Sequence, residues 1–304
     1  MVVKRSGLFL VGILILSSFA SAGLFEWFGN ITGKATSGTA ALNITVGNNA
    51  PTISGITFIS AQTPTESGSK TVIFNFNVTD ADGASNLNDS AAKAEFDNDG
   101  EAVRFNNSCV WVRDYAPNTA EYSCSVNMWY FDESGTWYVN VSSADINGAG
   151  ARDDSTRQFT FNQLTSMVMS PTALGWGALG VANVNVGSNN DPIVVNNTGN
   201  DEGLSLNVTG RDLRGETVNT EYIYASNFSV GAVTEGCTGT AMGDSVSINI
   251  TSAILERGNN TLNNKDSTSG QEELFFCLRG LPQTISAQSY SSAGTGPWTV
   301  QIIT

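Results

Sequence analysis

The chain of 304 residues contains no histidine, only four cysteines and seven prolines, and charged residues make up just 14% of it. Without histidine there is no Ser-His-Asp or Cys-His catalytic grouping. Zinc loses its imidazole ligands as well, and Cys109, Cys124, Cys237 and Cys277 contain no C-x-x-C pair that would replace them. Basic residues are scarce: 14 Lys and Arg stand against 28 Asp and Glu, for a net charge of −14. Phosphate backbones are bound by clustered cations, so this balance argues against a nucleic-acid partner. No long apolar run follows the N-terminal one, which leaves no membrane span beyond it.

Asn, Ser, Thr and Gly take the place of charge, so the chain reads as globular and polar-surfaced, with room for two domains. Residues 1–22 have the pattern of a signal peptide. Lys4 and Arg5 are its positive start, Leu8 to Leu16 its apolar run and Ala20-Ser21-Ala22 its cleavage site. An uncleaved anchor and pilin-type processing after Lys4-Arg5-Ser6-Gly7 are the competing readings of the same residues. Residues 23–50 form a linker that starts with the apolar cluster Leu24, Phe25, Trp27 and Phe28. It carries one alternating strand, Ala41–Val46, in which Leu42, Ile44 and Val46 share a face.

The pattern that organises the rest is Lys70 to Gly83, KTVIFNFNVTDADG, where Val72, Phe74, Phe76 and Val78 alternate with polar residues. A counterpart, GTWYVNVSSADING, runs from Gly135 to Gly148 with Trp137, Val139 and Val141 on one face. Two such strands, each closed by Asp/Asn/Gly turns, suggest the facing sheets of a β-sandwich. Further strands are expected at about 52–59, 92–97, 102–105, 109–115, 121–128 and 157–161, which makes 51–163 an all-β domain. The second domain, 164–304, repeats the grammar. Its expected inward residues are Val184, Val186, Ile193, Val195, Leu204, Leu206, Val208, Val246, Ile248, Ile250, Leu274, Phe276, Leu278, Trp298, Val300 and Ile302.

The strand-plus-DxDG element and the GTWYVNVSSADING element resemble those of PKD, cadherin-like and other Ig-like modules of prokaryotic surface proteins. Ser188 to Leu213, SNNDPIVVNNTGNDEGLSLNVTGRDL, resembles a module common in archaeal secreted proteins. These resemblances imply two tandem Ig-like sandwiches on an archaeal exported protein and assign no catalytic residue.

Cys109 and Cys124 bracket a hairpin centred on Ala116-Pro117, whose register would put Trp111 opposite Tyr122. Cys237 and Cys277 are the remaining pair, and one bridge in each domain is the simplest of three connectivities. Asp80, Asp82, Asn86, Asn88 and Asp89 place several hard oxygen ligands within ten residues, a set that suits Ca²⁺, the one cofactor the sequence suggests. The resemblance divides on this point: cadherin-like modules favour Ca²⁺, whereas PKD-like modules carry DxDG as a plain turn. Eleven N-x-S/T sequons, at Asn30, Asn43, Asn77, Asn88, Asn106, Asn140, Asn196, Asn207, Asn227, Asn249 and Asn259, are glycosylation candidates. Strands that alternate Asn and Thr with Val or Ile also write such triplets automatically.

The expectation is therefore an exported, extracellular or cell-surface protein without enzymatic activity, structural or adhesive in role. Its partners would be other surface proteins, glycans or further copies of itself. A glycosidase-type carboxylate pair is the enzymatic reading that the absence of histidine leaves open. A carbohydrate-binding module using Trp111, Tyr122, Trp129 and Tyr130 is a second alternative, and a fibre subunit that donates Ala41–Val46 to a neighbour is a third.

Overall fold

Alternation becomes strand in nearly every place where the sequence shows it. The computed structural model describes residues 40–234, 237–258 and 270–304. The first strands are β1 Thr52–Ser54, β2 Ser69–Thr79, β3 Lys93–Asp97, β4 Arg104–Asn106, β5 Val110–Ala116, β6 Thr119–Trp129, β7 Gly135–Ala144 and β8 Gly150–Phe161. They are followed by β9 Met167–Ser170, β10 Val186–Gly187, β11 Ile193–Asn197, β12 Leu204–Thr209, β13 Leu213–Gly215 and β14 Tyr222–Ile223. The last are β15 Phe228–Gly231, β16 Thr240–Ala241, β17 Ser247–Leu255, β18 Gln271–Leu278, β19 Tyr290–Ser291 and β20 Thr299–Ile303. Three-residue 3-10 turns at Ala84–Asn86, Asp89–Ala91, Ala225–Asn227 and Ser292–Gly294 are the helical pieces described. The chain is all-β.

The first eight strands make two four-stranded antiparallel sheets, ordered β1-β2-β6-β5 and β4-β3-β7-β8. The register of β2 against β6 pairs Val72 with Val126, Phe74 with Cys124, Phe76 with Tyr122 and Val78 with Ala120, so both strands turn their apolar residues to one side. From the other sheet Phe96, Trp137, Val139, Val141, Phe159 and Phe161 join them in one hydrophobic cluster. This is a sandwich core with Trp137, Phe76 and Tyr122 at its centre, all fully buried. Phe96 meets Phe159 edge-on at 4.8 Å and Phe76 stacks on its register partner Tyr122 at 5.7 Å; a cross-strand aromatic pair such as the latter typically contributes about 0.2–1 kcal/mol.

The later strands enclose a second, separate cluster. It is built of Ile193 and Val195 on β11, Leu204, Leu206 and Val208 on β12, Phe228 and Val230 on β15, and Leu274, Phe276 and Leu278 on β18. Its sheets run β16-β15-β18-β11-β9, with β10 also on β18, then β17-β12-β20 and the small β14-β13-β19. Trp298 lies 5.2 Å from Phe228 and 5.9 Å from Phe276, and its indole N–H is satisfied by the Arg211 carbonyl at 2.9 Å.

Four expectations change. The ladder of β1 stops at Ser54 because Gly55 takes φ 61°, although Ile56 and Ile59 still reach the core. β8 begins seven residues before the expected Arg157, through the polar stretch from Gly150 that has no alternation to announce it. Val184 and Val246 are exposed instead of inward; Val246 closes a turn through its N–H to the Gly243 carbonyl. Ala41–Val46 is not a strand: residues 40–47 carry no ladder, and Leu42, Ile44 and Val46 are exposed. Alternation alone does not make a strand where no partner supplies backbone hydrogen bonds. Residues 48–304 form one compact unit.

Candidate functional site

The DADG turn follows β2 directly, and the residues of the expected calcium constellation bond to protein partners. Asp80 is fully buried; its carboxylate accepts the Asp82 N–H at 2.8 Å and the Asn86 side-chain amide at 3.1 Å. Asp82 accepts both the backbone and the side-chain N–H of Asn49, at 2.7 and 3.0 Å. The buried Asp145, from the loop after β7, takes the Asn48 amide at 2.6 Å and the N–H groups of Asn147 and Ala149. Asn147 in turn bonds Asn48 at 2.7 Å. The Asn48 bond, with the backbone donors behind it, holds the Asp145 carboxyl below the usual range. Asp89 and Asn88 have other side-chain partners. Asp89 receives the Tyr122 hydroxyl at 2.8 Å, and Asn88 caps the 3-10 turn after it through Ser90. Burial, then Asp89, pushes the Tyr122 phenol well up. The turn therefore spends its carboxylate oxygens on protein donors, and among the described residues no group of three or more His, Cys, Asp or Glu is arranged to hold a metal.

A buried polar network lies between the two hydrophobic clusters. It centres on Asn197–Asp201, the turn of the N-T-G-N sequence between β11 and β12, where all five residues are buried. The Asn200 side chain donates to the carbonyls of Asp132 (3.0 Å) and Asn162 (3.1 Å) and accepts the Leu164 N–H at 2.7 Å. Thr198 donates to Glu66 at 2.9 Å, and its carbonyl accepts the Ser67 N–H. Bonds from Ser166 and then Thr198 keep Glu66 below its ordinary range. Asp201 takes the side chains of Gln163 and Thr165. Position 199 has to be glycine, since a Cβ there would fall 1.9 Å from the Leu164 carbonyl oxygen.

Cations complete the junction. Arg257, after β17, donates to Glu202 at 2.8 Å on its own side and crosses to Glu101 at 2.7 Å and the Phe131 carbonyl at 3.1 Å. Burial works against the Arg257 charge, and its bonds to Glu101 and Glu202 outweigh that and raise its pKa. Arg104 holds the fully buried Asp132 and stands over the Phe131 ring at 5.7 Å. Burial raises the Asp132 carboxyl above its ordinary range although the Arg104 charge opposes it. Glu133 is raised as well, also by burial. A charge buried in this way is tolerated only when paired, and losing one partner is more costly than the pair is stabilising.

The cysteines pair as Cys109–Cys124 and Cys237–Cys277, with Cα atoms 4.5 and 5.3 Å apart. Trp111 stands opposite Tyr122 as expected, but the turn is Pro117–Asn118 rather than Ala116-Pro117, because β5 carries two irregularities between that pair and the turn. The four aromatics of the carbohydrate reading do not form one platform: Tyr122 and Tyr130 are buried, and Trp129 stacks on Phe131 at 6.1 Å. Only Trp111 is exposed among them.

The sequons divide by environment. Asn43 and Asn249 are exposed, Asn140 is buried, and Asn77, Asn88, Asn106, Asn196, Asn207 and Asn227 are half-buried. The side-chain Oδ1 atoms of Asn196 and Asn207 are sealed from water without a hydrogen bond. Asn207 and Asn249 stand opposite each other across β12 and β17. Asn30, Asn259 and the signal-peptide reading of residues 1–22 fall outside the described residues.

No family model matches the chain, and none of the curated proteins is similar to it in sequence. No helix among the described residues is long and apolar enough to cross a membrane. The junction is the constellation that sequence reasoning missed. Its signal was present in the N-T-G-N-D run, five polar residues at a strand-to-strand turn, but turn residues are ordinarily solvated and nothing in the run says that it is buried.

Proposed function

We propose that this chain is an exported structural or adhesive component of the cell envelope or extracellular space, without enzymatic activity. It would be built of two tandem Ig-like sandwiches, 51–163 and 164–304, behind a signal peptide at 1–22 and the linker 23–50. The junction carries the reading. A side chain that bonds two backbone carbonyls across the seam and a backbone N–H on its own side, with an arginine ion-paired on both sides, supports a stiff body that holds its outer faces at a fixed distance and angle. An enzyme built from two modules commonly keeps a cleft between them, and here the seam is filled by the protein's own polar groups. The cysteine pairs accord with an oxidising compartment, and the Asn- and Thr-rich outward strand faces accord with contact to other surface proteins or glycans. Labelling of intact source cells with a membrane-impermeant amine reagent tests this: the protein should be labelled without lysis, and protection until lysis would overturn the proposal.

The exposed, unpaired Leu42, Ile44 and Val46 favour a second reading, a fibre subunit that donates this segment to a neighbouring molecule. Size-exclusion chromatography with and without residues 23–47 separates the two. Polymers lost on truncation support donation, and a mature protein monomeric at every concentration refutes it.

A further inference from the structure

Three carboxylates meet one cation at the seam. Arg257, from the second half, has its Nη2 2.7 Å from Glu101 and 3.9 Å from Glu133, and its Nε 2.8 Å from Glu202 on its own half. Glu101 lies between β3 and β4, Glu133 between β6 and β7, and Glu202 between β11 and β12. Arg104, the neighbouring cation, is engaged by Asp132 and the Phe131 ring. The charges that act on Glu133 are therefore Arg257, Glu101 and Glu202. With all three acids ionised, one guanidinium would face an excess of negative charge on both sides of the seam.

Glu101 and Glu133 also hydrogen-bond each other. An ionised carboxylate only accepts, so two of them have no hydrogen to place in such a bond. Their contact requires one proton for the pair, as wherever two carboxyl groups are held too close to ionise together. The Glu101 side chain is 2% exposed and lies against the guanidinium, which favours the charge there; the Glu133 side chain is 44% exposed, so the proton falls to the group that water can reach.

We propose that Glu101 and Glu133 share one proton and make the seam a pH-sensitive clamp, which holds Arg257 most firmly in mild acid and slackens as the pair loses its proton. Burial raises the Glu133 carboxyl above its ordinary 4.5; Arg257 opposes this and Glu101 adds to it. The sign follows: a carboxyl raised on folding binds its proton more tightly in the native chain, so its contribution is complete below the unfolded value and is lost as pH rises through the folded one. The Asn200 bonds do not titrate, so the seam persists in neutral solution with the clamp released. The inference does not depend on export or on an envelope role.

Thermal melts of the whole chain and of Glu133→Gln between about pH 5 and about pH 8 test it. The glutamine amide donates to Glu101 without a titrating proton. The variant should match wild type at the acid end and melt at least about 2 °C above it at the other. Asp132, Asp191 and Glu272 are raised by burial as well, in both proteins, so the difference between the two curves is the quantity to read. Glu202→Gln removes only a partner of Arg257 and should give no gain at any pH. Carbon-13 NMR of the side-chain carboxyl groups, with Glu133 assigned as the signal absent from its variant, should place the midpoint of the pair above 4.5. A melting difference that does not change with pH, an equal gain from Glu202→Gln, or a Glu133 midpoint at or below 4.5 would each overturn the proposal.

Discussion

Replacing Asn200 by alanine removes the side chain that joins the two halves of the 48–304 unit most directly. Its amide makes three hydrogen bonds, to the Asp132 carbonyl, the Asn162 carbonyl and the Leu164 N–H, and the residue is 2% exposed. Truncation leaves one buried donor and two buried acceptors without these partners. A buried group left unsatisfied costs about 1–3 kcal/mol, less for a carbonyl that keeps another partner or reaches a water. The N–H and the two carbonyls together give a destabilisation of about 3 kcal/mol. For a domain of this size ~1 kcal/mol corresponds to roughly 2–4 °C in Tm, so Asn200→Ala should melt about 6–12 °C below wild type. Differential scanning calorimetry measures this, with Asn189→Ala as an exposed control that should move stability by no more than about 0.5 kcal/mol. The endotherm should fall in temperature, or divide into components for the two cores. A single peak within about 2 °C of wild type would show that the amide does not hold the junction, and the reasoning would fail.

Gly199→Ala should be still more damaging, because the added Cβ meets the Leu164 backbone; recovery of soluble protein with an unchanged melt would contradict the geometry. Glu221 accepts bonds from Tyr290, Ser286 and Gln288 that lower its pKa to about 2. A depressed carboxylate contributes stability that is fully present above its unfolded value near 4.5 and is lost as pH falls toward 2; Glu221→Gln should therefore flatten the acid limb of a stability–pH curve across that window. Calcium should leave the melting temperature of the whole chain unchanged relative to chelator, since Asp80 and Asp82 are already satisfied by protein donors; a rise that Asp82→Ala erases would restore the ion-binding reading. An oligosaccharyltransferase acting on folded protein should modify Asn249 in preference to the buried Asn140, and glycopeptide mapping that finds Asn140 occupied would contradict that burial.

Much of the first core could be read from the sequence because each of its strands has one dry and one wet face, and Val72, Phe74, Phe76 and Val78 print that difference residue by residue. The far end of the hairpin was legible from the spacing of Cys109, Trp111, Tyr122 and Cys124, whereas the two irregularities of β5 that move the turn to Pro117–Asn118 leave no local pattern. β8 was half hidden, because its first part is polar on both faces and β-structure there rests on ladder bonds to β7 rather than on burial. Ala41–Val46 misled in the opposite direction, showing alternation without a ladder. The junction was invisible as a site. Asn200, Asp132, Glu101 and Arg257 come from four distant stretches, and no local pattern says that a turn residue will be sealed by another sheet. Resemblance drew attention to DADG, while the structure puts the larger buried polar network at the opposite ends of the strands, where β6 ends and β11 turns into β12.

A distance distribution between the two halves tests most directly whether they form one stiff body. Spin labels carried on Lys93→Cys and Thr284→Cys, two exposed positions on the first and second halves, would be measured by double electron–electron resonance with the native cysteine pairs intact. The junction described above predicts a single narrow distribution that broadens when Asn200 is replaced by alanine. A broad or multimodal distribution in the wild-type protein would contradict the rigid junction and the presenting role built on it.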